Sequence, residues 1–452
     1  MQNNYNARKI AENLNHNRKR TMRKISIKST LVLAAALLIF SVIVGACSSD
    51  EADDATTAVT TKDDSQKDSI QNGSQTITEL DGIFLTIPQR DQVAAVNDFS
   101  FRLAKATMKE GRSQVLSPLS VAYLVGMLSN GTSEATTAET LAAMGLKDVS
   151  LQDFNEFLSL MLSDLPRLDL SSTLLQNNAI FTNLGIALSD AFRSTAEGYY
   201  NAHLETLDFT QPSALVRINQ WASESTRGMI ENLLNSLPPS GAIAMNAVYF
   251  KGGWIHKFDA LATVQEPFGA DSVLVPMMHM MATVEYGKTG RFRFINLPYG
   301  NGAFQMTVLL PNEGLTTADV ADSLDNATFR LLNSGNYNVD IKLPRFETTS
   351  SAIPLMQPLT AMGMASIFSN DERFLNMCPT GLISHKMFQT ARIIVDEDGS
   401  QAAAVTYSLV GASGGESHEP SPAVFHADRP FLYIISDRYT KSVLFIGNYE
   451  GD

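Results

Sequence analysis

Cysteine is nearly absent from this chain. Its 452 residues include two, Cys47 and Cys378, 331 positions apart. That excludes a disulfide framework and a cysteine-built zinc site. The seven histidines show no ligand spacing, so neither a metal nor any other cofactor is expected. Basic residues are outnumbered as well, 34 Lys and Arg against 47 Asp and Glu. Eight of the basic residues and one acid fall within positions 1–46, so the remainder holds 26 against 46. Without a basic footprint to displace counterions, a nucleic-acid partner is excluded. No Gly-rich phosphate loop stands at a strand–helix junction, and no segment of 20–50 residues repeats. The apolar run Leu31–Val44 holds fourteen residues, short of the roughly 20 a membrane-spanning helix needs. What is plentiful is core material: 44% of the residues are hydrophobic, enough for one large domain or two to three small ones.

Arg18, Lys19, Arg20, Arg23, Lys24 and Lys28 precede that run, and Val44-Gly45-Ala46 lead directly into Cys47. Basic, apolar and small residues in this order make a signal peptide. Small residues before a Cys resemble the lipobox of bacterial lipoproteins. The resemblance implies residues 1–46 as a signal peptide, with Met22 as a possible true start. It also implies lipidation of Cys47, a membrane anchor, and residence in the bacterial cell envelope at the outer membrane. The alternative is an uncleaved anchor with an incidental Cys. Residues 47–90 begin rich in Asp, Ser, Thr and Gln. They bury too little apolar surface to offset ordering entropy and read as a flexible acidic tether. An acidic run just after such a Cys also resembles a surface-export signal.

Residues 91–452 contain no second linker. Val93, Val96, Phe99, Leu103 and Ala106 recur at helical spacing and predict a helix over Asp91–Lys109. Ser117-Pro118-Leu119-Ser120 reads as a helix start, with the helix running to Ser129 and Asn130-Gly131 ending it. A further helix is expected over Leu215–Leu234, interrupted at Gly228. Strands are expected at Ala244–Phe250, Met306–Leu310, Val339–Leu343, Met387–Val395, Phe431–Ile435 and Val443–Ile446. The pattern is α+β rather than alternating βαβ.

Several blocks, in one order, resemble the serpin family of serine protease inhibitors. They are Ser117-Pro118-Leu119-Ser120, Ile218-Asn219-Gln220-Trp221 with Thr226-Arg227-Gly228-Met229-Ile230, and Asn246-Ala247-Val248-Tyr249-Phe250-Lys251-Gly252-Gly253-Trp254. Leu297-Pro298-Tyr299, Leu310-Pro311, Leu343-Pro344-Arg345-Phe346 and Met362-Gly363 follow. Last come Glu397 to Thr406 (EDGSQAAAVT), Ala427-Asp428-Arg429-Pro430-Phe431 and Leu444-Phe445-Ile446-Gly447. The resemblance covers about residues 95–449. It implies a single serpin-like α+β domain with three β-sheets, eight to nine helices and a metastable native state. It also implies a reactive loop at about 397–428. Such a protein is not an enzyme but a monomeric suicide substrate. A serine or cysteine protease cleaves the loop and forms an acyl-enzyme, and the loop then enters the largest sheet as a new strand with the protease attached. The alternative is a serpin-fold protein that no longer inhibits, acting as a binding protein or plain protease substrate.

The loop residues suit that motion. Alternate residues of a strand face one side, and one parity offers Ser400, Ala402, Ala404, Thr406, Ser408 and Val410, none charged or large. Gly399 allows a hinge without a Cβ, and Ala402-Ala403-Ala404 has little bulk. By position in the family pattern, Glu397 opens the hinge, Arg345 pairs with it, and Trp254 lies at the top of the main sheet. Ser117, Ser120 and Asn246 match the polar group where strands must part. Gln389 stands where the family usually has a His. The family spacing from Glu397 puts the reactive bond at Ser413-Gly414, but the loop is longer than usual, so Ala412, Val410 and Leu409 stay open. Small residues there suit elastase-like proteases; Leu409 or Tyr407 would suit chymotrypsin-like ones. No Lys or Arg lies between Gly399 and Asp428, which argues against trypsin-like targets. Gly411-Ala412-Ser413-Gly414-Gly415 fits a nucleophile-elbow pattern, but no helix follows it, so a hydrolase is set aside. Cys378 reads as a buried or partly buried free thiol, His279 as a strand residue, and His418 and His426 as loop and core residues.

Overall fold

The computed structural model describes residues 82–109, 111–231, 233–382, 387–400 and 422–452. Nine α-helices lie among them: α1 (Ile87–Thr107), α2 (Pro118–Ser129), α3 (Glu134–Ala143), α4 (Leu151–Asp164), α5 (Asp190–Tyr200), α6 (Pro212–Ser225), α7 (Thr317–Ala321), α8 (Asn326–Arg330) and α9 (Met356–Ala361). The strands in chain order are β1 (Gln114–Leu116), β2 (Thr173–Asn183), β3 (His203–Leu207), β4 (Ala242–Gly253), β5 (Val264–Phe268), β6 (Val273–Lys288), β7 (Phe292–Tyr299) and β8 (Phe304–Pro311). After them come β9 (Asn336–Pro344), β10 (Phe346–Pro354), β11 (Phe388–Val395), β12 (Gly399–Ser400), β13 (Ala423–His426), β14 (Phe431–Asp437) and β15 (Val443–Tyr449).

They form three sheets: nine strands in the order β1-β15-β14-β8-β7-β6-β9-β13 with β5 beside β6, four strands in the order β12-β4-β2-β3, and the pair β10-β11. Helix α2 is apolar on every side and buried at every residue, as an all-round hydrophobic helix must be. It touches β4 and β15. Helix α6 covers the other face of β4. Its Ile218, Trp221 and Ala222 pack with Phe181, Met245 and Ala247, and Trp221 meets Phe181 edge-on at 5.9 Å. The two faces of β4 therefore differ. Phe250, with Ala242, Ala244 and Val248, joins the main core, while Met245 and Ala247 join the core under α6.

The expected elements are present with shifted ends. Helix α1 begins at Ile87 instead of Asp91, because Thr86 and Gln89 close a capping box ahead of it. Helix α2 has the expected bounds, although Ser117 caps it with no side-chain bond. Helix α6 ends at Ser225, nine residues before the expected Leu234. Arg227 and Gly228 turn left-handed, at φ 52° and 82°, and the Gly228 N–H closes back on Ser223 O at 2.8 Å. Of the loop expected over 397–428, the described ends hold two strands. Gly399–Ser400 is already strand, and Ala423–His426 pairs in parallel with Val339–Lys342 of β9. Cys378 is a buried free thiol. His279 lies in β6 as expected. His426 is not a core residue: it sits on β13 with a third of its side chain exposed. Its Nε2 lies 3.1 Å from the Asp340 carboxylate that His279 also meets, at 2.7 Å.

Candidate functional site

Strand β11 ends at Val395, and the next four residues reverse the chain. Asp396 N–H donates to Gly399 O at 2.9 Å, and Gly399 N–H donates to Asp396 O at 3.2 Å. The Asp396 carboxylate accepts from Asp398 N–H and Gly399 N–H at 3.0 and 3.1 Å. Burial pushes the Asp396 carboxyl up; those two bonds oppose the rise, and the charges of Asp398 and Glu397 add to it. Gly399 sits at φ +140°, and a Cβ there would lie 2.2 Å from Gly252 O. Only glycine fits the turn.

The turn is gripped by the residues after β4. Trp254 Nε1 donates to Asp396 O at 3.0 Å, and Trp254 N–H to Asp398 O at 2.8 Å. Phe258 N–H donates to Glu397 O at 3.0 Å. The Glu397 carboxylate accepts from Thr263 Oγ1 at 2.7 Å and meets Arg345 Nη1 at 3.5 Å. Lys257 Nζ reaches Asp398 at 2.9 Å. Trp254 stacks on Tyr299 with ring centroids 4.3 Å apart. Beyond the turn, Gly399 and Ser400 pair antiparallel with Gly253 and Gly252. Ser400 Oγ and Tyr299 OH lie 2.9 Å apart in the core, where burial pushes the Tyr299 phenol up.

Below Gly252, among the described residues, β4 is paired along one edge only. On one side, positions Ala242–Lys251 pair with β2. On the other, among the described residues, no ladder joins them to β11, which pairs only with β10. Lower down, Gln389 binds both backbone groups of Ser117: its Oε1 accepts from Ser117 N–H at 3.1 Å and its Nε2 donates to Ser117 O at 2.6 Å. Ser117 Oγ donates to Leu444 O at 2.8 Å. Ser120 is buried in the first turn of α2. Asn246 is bonded elsewhere, its Nδ2 donating to Asn178 Oδ1 at 2.7 Å.

Trp254, Arg345, Glu397, Gly399 and Ser400 are thus brought together, and so are Ser117 and Gln389. Ala402, Ala403, Ala404, Thr406, Leu409, Val410, Ala412, Ser413, Gly414 and Cys47 lie outside the described residues, as does His418. Sequence reasoning did not single out Lys257, Thr263 or Phe258, which carry no motif. Tyr299 was quoted only as part of Leu297-Pro298-Tyr299, with no role attached.

A chain that climbs β11, turns over a glycine and starts down the edge of β4 has the topology of the serpins. The family model for serpins (serine protease inhibitors) matches residues 94–450, and the chain belongs to that family. It is similar to an uncharacterised serpin-like protein of Thermococcus kodakarensis, with 30% identity over 79% of this chain and 85% of the relative. It is likewise 30% identical to the corticosteroid-binding globulin of Oryctolagus cuniculus, over 80% of this chain and 95% of that protein. The solved structure of tengpin, a thermophilic serpin in its native state, matches with a TM-score of 0.73 at 25% identity, covering 82% of this chain and 96% of tengpin. Serpins as a class are inhibitors and generally not catalysts, and their relatives include a protein named for binding a steroid.

Proposed function

We propose that this serpin is a suicide-substrate inhibitor of serine and cysteine endopeptidases, with elastase-like or chymotrypsin-like specificity. The observation that carries the reading is the hinge. Gly399 and Ser400 already occupy the first two positions beside β4, and the ten β4 positions below them have one open side among the described residues. A strand added there satisfies backbone groups along the edge. The residues that would follow are small and uncharged on the parity that faces the core. Cleavage after Ser413 would free the segment to enter, carrying the acylated protease. Ala412, Val410 and Leu409 are the other candidates for the cut.

Incubation with an elastase-like and a chymotrypsin-like protease, read on a denaturing gel, tests this. A covalent complex is expected, with a released peptide of 39 residues starting at Gly414. Clean cleavage with no complex at any ratio would sink the inhibitor reading, leaving a serpin that binds a ligand or is merely cut. A fragment starting elsewhere would move the reactive bond.

The address is proposed as well: a lipid on Cys47 anchors the protein to the bacterial outer membrane, facing outward. The support is the basic–apolar–small pattern before Cys47 and the acidic run after it. Fatty-acid labelling in the producing cell should mark the protein, and Cys47→Ala should lose both the label and membrane fractionation. Label retained by that variant overturns the anchor.

A further inference from the structure

Asp340 is shared by two histidines. Its Oδ1 lies 2.7 Å from His279 Nε2 and its Oδ2 lies 3.1 Å from His426 Nε2. The three residues stand on three neighbouring strands of the nine-stranded sheet, β6, β9 and β13. The register brings them together. Lys342 of β9 is opposite His279 on one side and His426 on the other, and Asp340, two residues along the same strand, presents the same face. Both rings therefore lean from the Lys342 row onto Asp340. Lys342 is engaged elsewhere, its Nζ 2.7 and 2.8 Å from the two carboxylate oxygens of Glu266 in β5. Among the described residues no group of three such side chains is placed to hold a metal ion; here the rings meet the carboxylate itself.

Strand β13 has little else to hold it. It runs only from Ala423 to His426, and among the described residues it pairs with β9 alone. Phe425 is the one buried residue of the four. Other charged groups touch the strand or its end. Arg293 of β7 donates from Nη1 to Val424 O at 3.4 Å. Past the strand, Asp428 and Arg429 pair at 2.8 Å, and Arg429 Nη2 donates to Pro311 O at 2.8 Å. Of the residue types gathered here, imidazole is the one whose charge ordinarily changes between pH 5 and 8.

We propose that His279, Asp340 and His426 form a pH-sensitive clasp that sets how firmly β13 is held to the edge of its sheet. A neutral ring donates an ordinary hydrogen bond from Nε2; a charged ring donates a charge-assisted one, roughly twice as strong. The rings come from the strands on either side of β9 and reach different oxygens, so two short attractions outweigh one longer repulsion. Burial would raise the Asp340 carboxyl; the bonds and charges of the two rings outweigh it and hold the group below its usual range. The hold that depends on this carboxylate is lost as pH falls through that lowered value. The hold added by charged rings is present in mild acid and lost as pH rises through the imidazole range. The clasp is therefore tightest in mildly acidic solution and loosens on either side. This goes beyond the inhibitor reading and stands independently of it.

Amide hydrogen exchange of the uncleaved full chain, read by mass spectrometry at pH 5.5 and 7.5 and corrected for the intrinsic rate at each pH, tests the clasp. Protection of residues 423–427 should be greater at pH 5.5 by roughly three- to fivefold, a modest factor because both rings are partly exposed and water screens their charges. Strand β14, buried at every residue, serves as the internal reference and should show no such difference. Asp340→Asn keeps the shape and removes the charge, and His426→Gln keeps a donor that cannot be charged. Each should abolish the difference, leaving protection no higher than that of wild type at pH 7.5. His279→Gln should leave the greater part of it, because His426 is the ring that sits on β13. Equal protection of wild type at the two pH values overturns the clasp. So does a difference that survives Asp340→Asn or His426→Gln. No protease enters the measurement, so a protein that traps none can still show the clasp.

Discussion

Glu372 ties the chain after α9 to the start of α3. Its carboxylate accepts from Ser133 N–H at 3.1 Å, from Ser133 Oγ at 2.8 Å and from Phe374 N–H at 2.9 Å. Burial alone would raise this carboxyl; the hydrogen bonds from Thr136, Ser133 and Phe374 outweigh it and hold the group below its usual range. A depressed folded pKa contributes stability that is complete above the unfolded value of about 4.3 and is lost as pH falls through the folded one. Glu372→Gln should therefore cost about 2 kcal/mol at pH 7, with the gap to wild type narrowing at pH 4 and below. Thermal unfolding of the uncleaved protein across that range checks it, and a constant gap would refute it. Ser133 and Glu372 stand 239 positions apart, and no local pattern announces such a pair. Gly399 was legible for the opposite reason. A glycine between acidic residues and an alanine run has a local cause, a turn that no Cβ can enter.

At the scale of elements, apolar runs were readable and their ends were not. Ala244–Phe250 stood out, but the strand also takes in Lys251, Gly252 and Gly253, which are poor strand formers held by β2 and β12. Strand β2 was hidden because Gln176, Asn177 and Asn178 interrupt its apolar pattern. Asn178 is buried there only because Tyr200 O and Asn246 satisfy it, and that is tertiary information. Helix α6 was overextended because periodicity does not register a left-handed pair at Arg227 and Gly228. The edge of β4 where Gly399 and Ser400 pair yields a prediction of its own. If the loop enters beside β4 in the register that Gly399 and Ser400 begin, Ala402→Glu would put a charge opposite Phe250, where an unpaired carboxylate is strongly disfavoured. Trapping should give way to hydrolysis, with the stoichiometry of inhibition rising by about tenfold or more. Unchanged inhibition would argue against the parity read from Ser400.

For the whole molecule, the serpin class was legible from blocks that hold its hinge and sheets, and the family match over 94–450 agrees with it. The division of the sheets was not. Among the described residues it depends on which edges lack a partner strand, and a sequence does not display which edges pair. The twelve residues of β4 also act as a ruler. At about 3.4 Å per residue, an inserted strand laid from Gly253 down to Ala242 in the register of Gly399 and Ser400 would span roughly 37 Å and would end with Val410. A group attached just past Val410 would travel from one pole of the sheet to the other, a distance set by β4 and not by the loop. Residues added between Val410 and Pro422 would not lengthen that journey. They would lengthen only the leash on which the passenger hangs.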